Sequence, residues 1–196
     1  MGGKPYGRPM PMTGEDERDG LALDVYRARF GPFLPMLPPG LQLELALQGD
    51  VIQSAQVCRL PYAQGAGTPL RCIARLLRLL GLEALGERCL REAAHDDRCT
   101  PRLRKLIERS GAWRAIPAGL GRVSGGGDAR TRFRGWLDAA ASGEPVAPDR
   151  IEARLVDLLP GLEWCEAMLV VNSFDSAKLS DLCTQDDGGA DEEGSS

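Results

Sequence analysis

Catalysis needs bases, nucleophiles or metal ligands gathered at workable spacing, and this chain is short of bases. Its one histidine, His95, opens the run His95-Asp-Asp-Arg-Cys99. Side chains at 95 and 99 would share a helix face. Thr100-Pro101 forces a helix boundary there, however, and no second ligand pair lies elsewhere, so a solvated polar turn is expected. The six cysteines are Cys58, Cys72, Cys89, Cys99, Cys165 and Cys183, and none forms a Cys-x-x-Cys pair. Spacing therefore gives no support to a thiolate metal site, and buried thiols acting as small hydrophobes are expected. Glu163 and Glu166 would share a helix face, but Trp164, Cys165 and Met168 beside them describe a core helix, not paired acids. Ser124-Gly-Gly-Gly-Asp128 stands before a helix like an anion-binding loop. It lacks a Gly-Lys-Thr ending and follows no apolar strand, so it reads as a flexible linker with Asp128 as N-cap. The sequence thus points to no catalytic residue, no cofactor and no metal, and an enzyme built on His95 or the cysteines is its least supported class.

The charge is unevenly distributed. The net value is −4, yet residues 59–134 hold 16 Lys/Arg against 7 Asp/Glu, and residues 175–196 hold 1 against 7. Arg98, Arg102, Arg104, Lys105, Arg109 and Arg114, then Arg122, Arg130, Arg132 and Arg134, could neutralise phosphates. The aromatics among them, Trp113, Phe133 and Trp136, are spaced like helix core and not like a base-stacking platform. The favoured reading is a solvated face countered by the chain's own acidic tail or by an acidic partner protein, with an Arg-rich helical nucleic-acid-associated regulator as the alternative. No apolar run approaches the ~18 residues that span a bilayer. The amino-terminal residues lack the apolar core of a signal peptide, and Tyr6 stands where a myristoylation signal needs Ser or Thr. A cytoplasmic protein is expected, able to sit peripherally on a membrane complex through a partner.

The elements that would position these groups follow from periodicity and punctuation. Residues 1–19, Gly/Pro-rich and then acidic, read as a flexible leader. A β-element is expected over 20–60. Leu21-Ala-Leu-Asp-Val-Tyr-Arg-Ala-Arg29 alternates as a first strand, and a proline-studded loop runs from Gly31 to Gly40. A hairpin over 41–57 then turns at Gly49-Asp50, a good two-residue turn pair. Symmetric pairing about that turn sets Leu47 opposite Ile52 and Leu45 opposite Ser54. A helical domain is expected over 68–174. Thr68-Pro69 and Thr100-Pro101 each combine an N-cap with proline at the first helical position, and Asp128 caps a helix over 129–141. Further helices are expected over 149–159 and 162–172. From Asp175 the chain reads as a disordered acidic tail. The fold class is α+β: a small antiparallel hairpin or three-stranded sheet on a mainly helical body.

One segment resembles a known family. Gly31-Pro32…Pro35…Gly40, then Leu41-x-Leu-x-Leu-x-Leu47, then Gly49-Asp50-Val-Ile52, resembles the start of the D-type subunit of respiratory complex I and of the related [NiFe]-hydrogenase large subunits. There a Gly-Pro-x-His-Pro loop precedes a β-hairpin packed on a large helical body, and the loop histidine belongs to the quinone site. The match covers about forty residues. Here Leu34 stands in the histidine's place, no Cys-x-x-Cys pair exists for nickel, and the chain is about half the usual length. The resemblance therefore implies a scaffold without the chemistry. It implies a non-catalytic accessory or assembly component of a membrane-associated complex I-like or hydrogenase-like oxidoreductase, with a redox-complex subunit as protein partner. On that reading the leucine face of the hairpin, with Leu43, Leu45, Leu47 and Ile52, and the arginines Arg102 and Arg109 contact the partner.

Overall fold

A computed structural model describes residues 24–62, 67–96, 98–144, 146, 151 and 153–184. The leader 1–19 and the last residues, 185–196, lie outside them, as do 63–66 and 147–150. Three strands, β1 (Val25–Phe30), β2 (Gln42–Gln48) and β3 (Val51–Arg59), form one antiparallel sheet in the order β1-β2-β3. They are followed by α1 (Pro69–Leu79), α2 (Glu83–His95), α3 (Pro101–Ser110), the short α4 (Ala112–Ala115) and α5 (Ala129–Ser142). Then come a single turn, α6 (Leu155–Leu158), and α7 (Trp164–Asn172) and α8 (Ser176–Thr184). The fold is α+β.

Gly49-Asp50 makes the hairpin turn, and Leu47 does pair with Ile52. The rest of the ladder is shifted: Ala46 pairs with Ser54 and Leu45 with Ala55. Gln53 is the extra residue of a β-bulge. Its effect is chemical, because it lets Ile52, Ala55 and Val57 all turn to the core while Ser54 and Gln56 stay outside. Symmetric pairing would have buried Ser54.

The hairpin is fastened to the helical body by main-chain bonds. Gly161 donates to the Ile52 carbonyl at 2.7 Å, Ile52 to the Leu162 carbonyl at 2.9 Å, and Trp164 to the Asp50 carbonyl at 2.8 Å. The Phe30 and Trp164 rings close the same seam, 4.5 Å apart. α1, buried along Leu70, Ile73, Leu76 and Leu77, packs on α2, α5 and α7.

Thr100 and Asp128 cap their helices as their positions predict, accepting from the Leu103 and Thr131 amides. Two expectations need correction. Among the described residues of 149–159 the helix is one turn, α6, and the backbone at 153–154 before it is not helical. The tail is not disordered from Asp175: Asp175 accepts from the Lys178 amide at 2.9 Å and starts α8, whose Leu179, Leu182 and Cys183 are buried. Those three positions form a helical stripe that the acidic composition around them masks.

A third correction concerns Arg132, which is a structural brace and not part of a solvated face. Its guanidinium donates to the carbonyls of Gly121, Gly126 and Gly127 at 3.0–3.2 Å and to the Ser173 hydroxyl at 2.7 Å, with its Cζ 4.0 Å from the Phe174 ring centre. Segment 124–128 is thus an ordered loop, closed by Val123 donating to Gly127 at 2.9 Å. Burial lowers the Arg132 pKa to about 10, with Asp128 opposing, so it stays charged at neutral pH. Arg132→Met should lower unfolding free energy by about 3 kcal/mol, since it strands the carbonyls of Gly121 and Gly126 and strips a donor each from Gly127 and Ser173; urea denaturation checks this, and a loss below about 1 kcal/mol would refute the brace. At Asp128, burial raises the pKa, but the Thr131 hydroxyl and amide, the Gly119 amide and Arg122 together outweigh it and hold the carboxyl at about 2. A carboxylate lowered in the folded state stabilises above its unfolded value of ~3.9, and that contribution disappears as pH falls through about 2. The stability gap between the unmodified chain and Asp128→Asn should therefore shrink from about 2 kcal/mol at neutral pH towards nothing near pH 2.

Candidate functional site

The hairpin leucines do not form an outward face. Leu43, Leu45 and Ile52 are 0% exposed and Leu47 is half-buried against the same core. The alternation that makes them one face is genuine, but the chain's own helices and the 161–164 segment cover it. This corrects their expected role as partner contacts. Arg102 and Arg109 are exposed on α3.

What the β-element does present is its proline loop. Leu37 and Leu41 turn inward and Leu34 is half-buried, whereas Phe33 is 81% and Met36 37% exposed. Leu60 and Tyr62, at 43% and 40%, emerge beside the loop. The loop is built to hold this shape. Leu37 donates to the Leu34 carbonyl, Gly40 to that of Pro32, and Tyr62 to that of Pro39, all at 2.9–3.1 Å. Asn172 of α7 reaches the Met36 carbonyl at 2.8 Å. Gly40 has φ +91°, and a Cβ there would meet the Tyr62 ring at 2.7 Å. An exposed aromatic on pinned backbone suits docking, since little entropy remains to lose. Sequence reading missed Phe33, Met36, Leu60 and Tyr62 because a proline loop has no period to separate inward from outward apolar residues.

The arginines divide into two sets. Arg75, Arg130 and Arg132 hold backbone carbonyls, at Phe174, at Arg114 and Ile116, and in the 121–127 loop. Arg104 pairs with Glu108 and Asp138 at 2.9 and 2.7 Å. A second set is exposed and makes no ion pair among the described residues: Arg91, Arg98, Arg102, Lys105 and Arg109. Arg91 and Arg98 line an open groove of about 620 Å³ where α2 ends and α3 begins, together with His95, Glu92 and Asp96.

The groups with catalytic potential are placed for other work. Among the described residues no three His, Cys, Asp or Glu side chains gather to hold a metal ion. Glu163 and Glu166 form a capping box at the start of α7. His95 is exposed and Cys99 buried; both line the groove between α2 and α3, and the Cys99 thiol donates to the Thr100 carbonyl at 3.7 Å. Burial, with Cys99 and Glu92 nearby, pushes the Cys89 thiol up to about 12; burial and Glu92 take Cys99 to about 11, and burial alone takes Cys183 to about 12. Thiols so raised are poor nucleophiles. No family model, curated protein or solved structure matches this chain.

Cys58 and Cys165 are exposed and the other four thiols buried. Native alkylation near pH 8, read by intact mass, should therefore add two labels quickly, and unfolding in urea should release the rest. More than two rapid labels would show that the buried thiols are accessible.

Proposed function

We propose that this chain is a non-catalytic accessory or assembly component of a membrane-associated complex I-like or hydrogenase-like oxidoreductase, working by protein–protein contact. The observation that supports this most is the outward apolar surface of the proline loop, with Phe33 four-fifths exposed on a backbone tied to both hairpin and α7. The same loop carries the resemblance to the D-type and hydrogenase large subunits, and Leu34 occupies the position of the quinone-site histidine. Contact without chemistry fits the inward use of Cys89, Cys99 and Cys183. No helix of the described residues is long and apolar enough to cross a membrane, so on this reading a partner holds the chain at a membrane complex.

The alternative, a nucleic-acid-associated regulator, has less support, because Arg75, Arg104, Arg130 and Arg132 have partners inside the protein.

The test is co-purification of the tagged chain, at low salt, with subunits of a complex I-like or hydrogenase-like enzyme. Phe33→Ser should weaken that association by about thirtyfold, the effect of losing a hot-spot aromatic worth about 2 kcal/mol, and leave the melting temperature nearly unchanged. A monomeric chain that brings down no redox-complex subunit would sink the reading.

A further inference from the structure

At the corner between α2 and α3, Arg91 and Arg98 have no ion-pair partner among the described residues. Glu92 already accepts the Thr100 amide and hydroxyl at 3.0 and 3.1 Å and lies 3.9 Å from Arg88. Asp96 is the other carboxylate in the lining; Asp97, next in sequence, lies outside the described residues. The Arg98 guanidinium lies against the end of α5, where a Cβ on Gly143 would sit 2.8 Å from its Nε. A guanidinium there is favoured by the negative end of the helix dipole. Arg91 faces the same groove. Past Pro101, the positions 102, 105 and 109 continue as a cationic stripe along the exposed side of α3, beside Leu106 at 38% exposure.

The matching charge is in the same chain. Residues 185–196 follow α8 directly and hold Asp186, Asp187, Asp191, Glu192 and Glu193, with no Lys or Arg. The carboxylates fall into two groups, as do the unpaired cations. Twelve extended residues reach at most about 40 Å, comparable with the width of a compact unit whose radius of gyration is about 15 Å.

We propose that residues 185–196 dock on this surface, their carboxylates against the groove arginines and the α3 stripe, and shield it from other polyanions. Screened surface ion pairs are individually weak. A short tether supplies an effective concentration in the millimolar range, so a weak contact stays made. This inference concerns a different surface from the proline loop and does not rest on the proposed function.

The experiment uses the full chain and a fluorescent peptide with the sequence of residues 185–196, followed by anisotropy at ~0.05 M salt. The unmodified chain should bind the peptide poorly, because its own segment competes. Neutralising that segment (Asp186→Asn, Asp187→Asn, Asp191→Asn, Glu192→Gln, Glu193→Gln) should raise affinity tenfold or more, the scale tethering allows. Adding Arg91→Ala, Arg98→Ala and Arg102→Ala should abolish the gain. Neutralising Glu15, Asp16, Glu17 and Asp19 instead changes net charge almost as much and should give no gain. Equal affinity for unmodified and neutralised chains would overturn the proposal, as would an equal gain from the 15–19 variant. Tight binding of a DNA oligonucleotide by the unmodified chain would also overturn it.

Discussion

Much of the helical body depends on one guanidinium. Five donors in a rigid fork let Arg132 satisfy several acceptors at once, and the structure uses that capacity on two segments far apart in sequence. The carbonyls of Gly121, Gly126 and Gly127 point inward from a loop with almost no apolar side chains of its own, and Ser173 closes α7. Without a donor between them the loop would leave unpaired polar groups against the core, a costly arrangement. With Arg132 present, Asp128 can cap α5, and α5 then packs on α1. The loop's glycines and the arginine four positions past Asp128 are therefore one device.

That device shows where sequence reading succeeds and where it stops. The hairpin was legible because alternation and Gly49-Asp50 are local signals, and the helices from Thr100 and Asp128 because caps are local too; α1 starts after Thr68 as expected, on Pro69, although the Thr68 hydroxyl makes no cap bond. The bulge at Gln53 was not, since it is decided by which face must hide Ser54. α8 was missed because its three buried residues are few against the acidic run around them. Periodicity identified the leucine face correctly but could not say that this chain covers it. Charge counting failed for the same reason: Arg132 and Arg102 look alike in sequence, yet one lies among carbonyls and the other faces water.

The resulting molecule keeps reactive groups apart and offers surfaces. Its raised thiols are packing material, Glu163 and Glu166 cap a helix, and the one histidine lies at the rim of a groove. Two areas stand out on the described residues: a stiff apolar loop on the β-element and a cationic corner on the helical body. They differ in the forces they exert, one insensitive to salt and the other screened by it, so the two could answer to different conditions without moving any element of the fold.

The seam between Ile52 and the 161–164 segment has its own consequence for biosynthesis. Residues about 110 positions apart in the chain share three backbone hydrogen bonds there. At ~5–20 residues per second, a ribosome needs ~5–20 s to make the stretch between them. During that interval the free border of β3 is a nascent strand with open donors and acceptors, the kind of edge that recruits neighbours. The amino-terminal third is thus no portable module. It gains its last backbone partners only when the last third arrives.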